Sequence, residues 1–430
     1  MVRAMRRTSV CTNRMFDYQS WFADSLDVLR RERRYRVFRE LVRSPGRAPI
    51  ARLRLGHQLR DVVVWCSNDY LGMSRHPLVL EASHVALQRY GAGAGGTRNI
   101  AGTLDLAVEL ESELADLHGK PAALLFSSGY VANDTTLATL ANALPNCVIV
   151  SDADNHASMI EGMRRSHAER RIFAHNVPAA LEKVLSTIDP RRPRIVAFES
   201  LYSMGGDIAP MRELLAVARQ FGALTYVDET HAVGVHGSRG GGLLEAEGLL
   251  DQVDVIQGGL GKGYGVVGGF ITGASELVDF VRSHAPGFIF TTALPPATVA
   301  GALASVRYLK RSSWERAALQ RRVQRVRERL VARGLPILAT RSQILPLMIG
   351  DSARCQSAAD RLLDEFGVYL QPINYPTVPK GAERLRVTPN PNHDDAMEDR
   401  LLDGLSTVLQ RTTLKSHDRP VEFGVAGVVA

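Results

Sequence analysis

The chain has 430 residues, of which 45% are hydrophobic and 23% charged, a balance typical of a large globular protein with a substantial core. No apolar run approaches the ~18 residues needed to cross a bilayer, so the sequence predicts no membrane partner. The net charge of +7 comes almost wholly from arginine, but the arginine runs alternate with acids at helical spacing and therefore predict solvated helix faces and no nucleic-acid partner.

The pattern of apolar segments divides the chain into four parts. Residues 1–60 form an N-terminal arm with a charged helix, and residues 61–305 alternate strands and helices, as expected for a large domain with a mostly parallel sheet. A smaller α+β domain is expected over 306–413, followed by a tail over 414–430. The fold class is therefore expected to be α/β with a smaller C-terminal α+β domain.

The four scattered cysteines form no CxxC pair and favour a reducing, cytoplasmic location.

The first candidate site lies where the apolar stretch 124–126 runs into Ser127, Ser128 and Gly129, with a helix-like segment starting near Tyr130. A turn of this kind points free backbone N–H groups and a helix N-terminus at an anion. An ordinary strand-to-helix connection with serine caps would look the same.

Two histidines and an aspartate follow at or near the ends of apolar strands. His156 could stack on a flat ring, although a lone histidine is more often a hydrogen-bonded loop residue. Asp228 ends the apolar stretch 224–227, and ligands of open α/β sheets bind outside such strand ends. A buried carboxylate there needs a cation, and a protonated pyridine nitrogen would serve. His231 could reach the oxygen of that ring, but Asp-x-x-His also fits a capped helix or a metal pair.

Lys262 stands in a glycine-rich turn between two apolar runs, after Gly258, Gly259 and Gly261. Glycines this dense let the backbone approach a bound group closely. A lysine held and partly desolvated at such a turn can lose its proton and form a Schiff base with a carbonyl cofactor. A flexible surface loop is the alternative interpretation of this segment alone.

These elements stand in the chain order of fold-type I pyridoxal-phosphate enzymes, and the chain resembles the α-oxoamine synthases among them. Four segments carry the resemblance, which covers roughly residues 16–413: they are Cys66–Gly72, Gly93–Thr103, Glu199–Met204 and Ile373–Pro389. The second and fourth contain motifs typical of the branch that condenses glycine with succinyl-CoA and releases CO₂. The resemblance therefore implies a transferase with a pyridoxal 5'-phosphate cofactor and these two substrates.

The resemblance also assigns roles to individual residues. Lys262 is expected to hold the cofactor, Asp228 to keep the ring nitrogen protonated and His156 to stack on the ring; with His231, these are the expected catalytic residues. The full expected cofactor set is Ser128, Gly129, Tyr130, His156, Ser203, Asp228, His231, Lys262, Thr291 and Thr292. The expected substrate set is Arg36, Asn68, Thr97, Asn99, Ile100, Ser151, Thr377 and Arg386. No metal ligand is expected.

Within the substrate set, Arg386 is expected to clamp the glycine carboxylate in a bidentate pair. Arg36 is expected to meet the distal succinyl carboxylate, in a pocket that it shares with Asn99, Ile100 and Thr377. The resemblance further implies a homodimer whose two active sites each draw on both chains, with the 291–292 segment reaching the phosphate from the second subunit.

The sequence departs from the family pattern three positions before the lysine. The family usually has a hydroxyl residue there, and this chain has Gly259; Gln257 stands where serine is common. We therefore expect one side-chain contact to the phosphate to be missing, while the backbone donors and the Schiff base remain.

Two alternatives stay open at this stage. An α-oxoamine synthase that takes a neutral acyl-CoA would need no cation in its acyl pocket, so Arg36 is the discriminating residue. A non-catalytic paralogue commonly loses its lysine, whereas Lys262, Asp228 and His231 are all retained here. The destination of the product, in tetrapyrroles or in a specialised metabolite, is also left open.

Overall fold

The computed structural model describes residues 15–410. The β-strands of this part of the chain are β1 (Leu41–Arg43), β2 (Ile50–Leu55), β3 (Gln58–Val64), β4 (Ala122–Phe126), β5 (Val148–Asp152), β6 (Glu169–Phe173), β7 (Arg194–Glu199), β8 (Leu224–Asp228), β9 (Val255–Gly259), β10 (Gly269–Gly273), β11 (Leu345–Met348), β12 (Val368–Tyr369), β13 (Pro372–Ile373) and β14 (Arg384–Val387). The α-helices are α1 (Tyr18–Arg31), α2 (Pro77–Tyr90), α3 (Arg98–Ala101), α4 (Asp105–Leu117), α5 (Gly129–Ala143), α6 (Ala157–Arg165), α7 (Pro178–Leu185), α8 (Met211–Gln220), α9 (Leu243–Ala246), α10 (Ser275–His284), α11 (Pro286–Ile289), α12 (Pro296–Leu309), α13 (Trp314–Ala332), α14 (Ser352–Phe366) and α15 (Asp395–Gln410). Three short 3₁₀ helices cover Pro45–Arg47, Met73–Arg75 and Leu250–Gln252.

A seven-stranded sheet in the order β4-β10-β9-β8-β7-β5-β6 forms the centre of the molecule. Strand β10 runs antiparallel to both of its neighbours, and all the other adjacent pairs are parallel. Every residue of β5, β7 and β9 is buried, which is the pattern of strands covered on both faces. The predicted α/β class with a mostly parallel sheet is confirmed. The carboxyl ends of β5, β7, β8 and β9 lie along one edge of this sheet, where a ligand of an open α/β sheet would bind.

Two smaller sheets lie outside the central one. Strands β11, β14 and β13 form an antiparallel sheet in the C-terminal part, and β12 pairs in parallel with β3 of the N-terminal hairpin. Beyond that pairing, the Trp65 and His393 rings stack at 3.6 Å, and the Thr388 N–H donates to the Trp65 carbonyl at 2.7 Å. Helix α12 runs across position 305, where the sequence placed a domain boundary. The boundaries themselves stay predictions.

The arginine run of α13 has partners that the sequence did not indicate. Arg322, Arg325 and Arg329 all donate to Glu398 on α15, whose side chain has no exposed surface. Asp395 accepts from the first two of these arginines. The helix face is partly exposed, as expected, but a buried carboxylate more than sixty residues away in sequence also binds these arginines and fastens α13 to α15.

Residues 1–14 and 411–430, which include the predicted tail, lie outside the described part of the chain. Between residues 15 and 410, no helix is both long enough and apolar enough to cross a membrane. The cysteines in this range, Cys66, Cys147 and Cys355, are free thiols. The cytoplasmic location stays a prediction.

Candidate active site

The turn after β4 presents a helix N-terminus at the carboxyl edge of the sheet. Ser128 caps α5, with its hydroxyl oxygen accepting from the Val131 N–H at 3.1 Å. The N–H groups of Gly129 and Tyr130 have no acceptor within the helix, so the positive end of a fifteen-residue helix is open to an anion. A Cβ on Gly269 would lie 2.5 Å from the Gly129 nitrogen, so only glycine on β10 allows this turn to pack as it does. The residues present fit a phosphate group.

Asp228 ends β8 and is 5% exposed. Its two carboxylate oxygens accept hydrogen bonds from the Asn133 amide and from the Thr230 N–H, both at 2.7 Å. Asn133 is itself fixed, because its own oxygen accepts from the Tyr226 hydroxyl at 2.8 Å. Both donors to the aspartate are neutral, so a cationic ring nitrogen would meet a carboxylate that is held in place without being neutralised.

His156 follows β5 and caps α6. Its Nδ1 lies 2.7 Å from the Ser158 hydroxyl oxygen, and its backbone N–H donates to a Glu199 carboxyl oxygen at 2.6 Å. Burial lowers the pKa of His156, and the nearby Asp228 opposes this shift. Burial raises the pKa of Glu199 well above its usual range, and Asp228 adds to that effect. The imidazole is therefore a held, neutral ring suited to stacking.

Lys262 lies on the turn between β9 and β10. Its amine makes no hydrogen bond or ion pair with any described residue. Burial lowers the pKa of Lys262, while Asp228 opposes the shift and Arg386 adds to it. These are the conditions under which an amine reacts with a carbonyl group.

Two further glycines, after the lysine, pack against neighbouring backbone. A side chain on Gly263 would collide with the Val233 carbonyl, and one on Gly265, where φ is +71°, would collide with the Ser74 nitrogen. These two glycines bring the turn against that backbone and so help to fix the position of Lys262.

Arg386 reaches the same region from β14 and is 6% exposed. Its Nη1 donates to the Asn68 side-chain oxygen at 2.8 Å, its Nη2 to the Tyr70 hydroxyl at 2.7 Å and its Nε to the Ser203 carbonyl at 2.8 Å. The Tyr70 hydroxyl also lies 2.8 Å from Nδ1 of His231. One connected network therefore joins the predicted glycine clamp, Asn68 and Ser203 to the predicted ring histidine.

Arg386 pairs with no acidic side chain among the described residues, but this alone does not mark it as a ligand site. Arg194, Arg316 and Arg384 are also buried and donate to backbone carbonyls. What distinguishes Arg386 is its surroundings, because side-chain groups orient two of its nitrogens and its charge acts on Lys262.

His231 is buried, and burial lowers its pKa well below the usual value, with Lys262 adding to the effect. The Gln343 amide donates to the His231 carbonyl at 2.8 Å and fixes the backbone there.

Sequence reasoning assigned no role to Tyr70, Asn133, Glu199 or Gln343. Tyr70 and Glu199 stand within segments that carried the family resemblance, and that was the signal that could have found them.

The predicted acyl-pocket residues separate into two groups. Arg36 donates to the Thr377 hydroxyl at 3.1 Å, and both side chains are exposed. Asn99 and Ile100 lie on the short helix α3, where Ile100 is 81% exposed. No hydrogen bond between described residues joins the two groups within one chain.

Three further predicted positions lie apart from the lysine network. The Ser151 side chain has no exposed surface, and its hydroxyl bonds to the Asp152 carbonyl and to the Asn155 amide, so it has no open face for a substrate. The Thr97 hydroxyl is buried without a partner among the described residues. The 291–292 segment lies between α11 and α12 and borders, with Ser127, a cavity beside the phosphate turn.

The chain is similar to known proteins over almost its whole length. The family model described as Aminotransferase class I and II matches residues 60–405. A 5-aminolevulinate synthase from Rhizobium meliloti (strain 1021) is 56% identical over 93% of this chain and 98% of its own length. Another from Bradyrhizobium diazoefficiens is 53% identical over 93% of this chain and 97% of its own length. Among solved structures, a serine palmitoyltransferase from S. paucimobilis with a bound PLP-myriocin aldimine has a TM-score of 0.85 at 32% identity, covering 92% of this chain and 99% of that one.

Proposed function

The chain belongs to the 5-aminolevulinate synthases, pyridoxal-phosphate-dependent acyltransferases of fold type I, and from this premise we propose how its own residues divide the reaction between glycine and succinyl-CoA. The reaction joins the glycine Cα to the succinyl carbonyl carbon, breaks the thioester C–S bond and releases coenzyme A and CO₂. Its product serves tetrapyrrole biosynthesis. The observation that carries the proposal is the meeting, beside one sheet edge, of a lysine amine that bonds to no described residue, an aspartate held by neutral donors and a buried arginine.

The cofactor has a place for each of its groups. The N-terminus of α5 would hold the phosphate, Asp228 would meet the ring nitrogen, His156 would stack on the ring and Lys262 would supply the amine for the aldehyde group. When bound, pyridoxal phosphate accepts the electron pair left at the glycine Cα after proton removal. The carboxylate of Asp228 would favour the protonated, electron-accepting ring, and hydrogen bonds from Asn133 and the Thr230 N–H hold it in position.

Arg386 binds the glycine carboxylate. Its guanidinium is pre-oriented by Asn68, Tyr70 and the Ser203 carbonyl, so little side-chain freedom is lost when the substrate arrives. Holding the carboxylate fixes the direction of the Cα–H and Cα–C bonds. The carboxylate that Arg386 holds is also the group that leaves as CO₂.

Lys262 moves the proton at the glycine Cα. Burial lowers the pKa of this amine, so it gives up its own proton more readily and can act as a base toward the glycine Cα–H. The same amine returns a proton to this carbon after the carboxylate has left. His231 stays neutral in its buried setting and donates or accepts one hydrogen bond at the ring oxygen, with Tyr70 fixing its orientation.

Purified protein supplied with the cofactor, glycine and succinyl-CoA should release one CoA and one CO₂ for each 5-aminolevulinate formed. Borohydride reduction without substrate should fix the cofactor on Lys262, as read by peptide mapping. An adduct on any other lysine would overturn the assignment of Lys262.

We propose that Arg36, together with Thr377, binds the distal carboxylate of the succinyl group. Losing one half of a buried charge pair costs about 2–5 kcal/mol, so Arg36→Leu should lower turnover of succinyl-CoA by roughly thirtyfold to several thousandfold and spare butyryl-CoA. Arg36 is exposed within one chain, so an effect of this size requires the assembled site to bury it. Equal losses on the two thioesters would mean that Arg36 does not recognise the carboxylate.

We further propose a homodimer in which each active site draws on both chains. Helix α1 has no buried residue, and several large apolar side chains of this arm are exposed, among them Trp21 and Phe22. Ile100 and Phe290 are 81% and 79% exposed beside the predicted site segments. Exposed apolar groups of this size favour cover by another chain.

Mixing two inactive variants, Lys262→Ala and Asn99→Ala, tests the shared site. If the two positions serve one site from different chains, a mixed dimer contains one site free of both lesions and regains activity. A chain that carries both changes, mixed with either single variant, is the control and should stay inactive. No recovery under proven subunit exchange, with Asn99→Ala alone severely impaired, would overturn the shared-site proposal.

A further inference from the structure

The position three residues before the lysine lacks a side chain, but the space beside it is filled. A Cβ on Gly259 would lie 2.7 Å from Cγ2 of Thr230 and 3.3 Å from its hydroxyl oxygen. Thr230 comes from the loop after β8 and is only partly buried. The Thr230 side chain, with its methyl group nearest and its hydroxyl beside it, therefore occupies the place from which a side chain at 259 would act.

This hydroxyl lies next to the phosphate turn. A Cβ built on Gly129, the first residue of α5, would be 3.6 Å from the Thr230 hydroxyl oxygen and 3.3 Å from the Gln257 amide nitrogen. The Thr230 hydroxyl donates to the Gln257 side-chain oxygen at 3.0 Å, and the Gln257 amide donates to the Gly258 carbonyl at 3.0 Å. The two unusual residues of this segment, Gln257 and Gly259, thus both contact Thr230.

The position of Thr230 is fixed by the site itself. Its backbone N–H donates to the Asp228 carboxylate at 2.7 Å, so the turn that carries the ring aspartate also carries this hydroxyl. The Gln257 side chain has no exposed surface. Its amide nitrogen donates to the Gly258 and Gly129 carbonyls, at 3.0 and 3.4 Å, so its side-chain oxygen is held toward the Thr230 hydroxyl. A hydroxyl rotates to suit its acceptor, so the Thr230 proton would turn from Gln257 to a phosphate oxygen when the phosphate binds.

We propose that Thr230, supported by Gln257, supplies the side-chain hydrogen bond to the cofactor phosphate that a hydroxyl residue at position 259 would otherwise make. In this chain the contact would come from the loop after β8, whereas the family pattern places it at the end of β9. Gly259 is required because the Thr230 side chain fills the space that a larger residue there would need. This inference rests on the proposed function, since it assumes that the phosphate binds at the N-terminus of α5.

The experiment measures dissociation constants of the cofactor-free protein for pyridoxal phosphate and for pyridoxal, followed by absorbance. Thr230→Val keeps the shape of the side chain and removes its hydroxyl. It should weaken pyridoxal phosphate binding by about tenfold to a hundredfold, the range for one hydrogen bond to a charged group, and leave pyridoxal binding unchanged. Thr272→Val is the matched control, because it removes a buried hydroxyl without a partner from β10 of the same sheet and should alter neither constant.

A second pair of variants tests whether a hydroxyl at position 259 can replace the one at position 230. Gly259→Ser alone should not strengthen binding, because its Cβ meets the Thr230 methyl group. Thr230→Ala with Gly259→Ser should recover most of the affinity that Thr230→Ala alone loses. Melting temperatures of all variants identify any that fail to fold.

Two outcomes would overturn the inference: unchanged pyridoxal phosphate binding by a folded Thr230→Val, or equal weakening for pyridoxal and pyridoxal phosphate, which would make Thr230 a structural residue. Failure of the proposed function gives a different result, because the native protein itself would then not bind pyridoxal phosphate on Lys262.

Discussion

Two groups of buried charges in this chain are built in opposite ways. On the scaffold, Glu398 has no exposed surface and meets three arginines of α13, so its charge is fully matched within the protein. In the site, Arg386 is equally hidden but donates to an amide oxygen, a hydroxyl and a carbonyl. Lys262 nearby bonds to no described residue. The scaffold charges are therefore paired with each other, whereas Arg386 and Lys262 remain available to bind a ligand.

The comparison separates two consequences of removing a charge. Where charges are matched, a change should lower the free energy of unfolding and leave the chemistry intact. Where they are unmatched, the same kind of change should lower catalysis or substrate affinity more than stability.

The largest expected effect is at Lys262. Lys262→Ala should lower kcat by at least about a hundredfold, since positioned acid–base catalysis contributes roughly 10²–10⁴. Stability should hold or rise, because the change removes a partly buried amine that has no partner. Steady-state kinetics and thermal unfolding measure the two effects. A variant that keeps a tenth of the native kcat would show that another group moves the Cα proton.

The second largest effect is expected for Arg386→Leu. An unpaired glycine carboxylate in a buried site costs about 2–5 kcal/mol, which corresponds to a loss in kcat/KM for glycine of roughly thirtyfold to several thousandfold. Arg384→Leu is the matched control, because Arg384 lies on the same strand, is equally buried and donates to backbone carbonyls. It should lower stability and leave the KM for glycine near the native value. Equal effects on glycine KM in the two folded variants would contradict the role of Arg386.

Glu398→Gln tests the matched side of the comparison. Breaking a buried network leaves its arginines short of a partner, and we expect a loss of about 3 kcal/mol in unfolding free energy, near the low end for buried pairs because the arginines are partly exposed. The kcat/KM should not change. Asp399→Asn is the control: its exposed pair with Arg329 should contribute less than about 1 kcal/mol. Chemical denaturation measures both, and similar losses would remove the distinction between buried and exposed pairs.

The last effect is seen only as a change with pH, and it concerns His175, a second matched group on the scaffold. Burial opposes its charge, but the carboxylates of Asp152 and Asp207, each 2.8 Å away, outweigh burial and raise its pKa to about 10. A raised pKa gives stability that is fully present below the unfolded value of about 6.5 and is lost as pH rises through about 10. The difference in melting temperature between the native protein and His175→Gln should therefore shrink from pH 7 to pH 10.5. A constant difference would mean that His175 is neutral in the folded protein.

The sequence was informative where a residue's own neighbours reveal its setting. Asp228 and Lys262 follow apolar runs that predict buried strands, and their order along the chain indicated the family and hence the fold. Position 259 was also found from the sequence, because a missing hydroxyl is visible as a glycine.

The sequence was uninformative where a contact joins distant segments. Tyr70 meets His231, and Gln343 meets the same histidine, across more than a hundred residues in each case. For the same reason, the sequence did not show that Glu398 of α15 binds three arginines of α13. The position of Thr230 beside Gly259 depends on the packing of two loops, and no local pattern contains it.

The pairing of β12 with β3 has a mechanical consequence for the site. Arg386 on β14 and Asn68 after β3 belong to segments tied together by that pairing and by the Trp65–His393 stack. Lys262 and Asp228 belong to the central sheet. Moving the first pair away from the central sheet would break the bond from Arg386 to the Ser203 carbonyl and the contact of Tyr70 with His231. The position of a bound carboxylate relative to the lysine is therefore fixed by contacts on both sides.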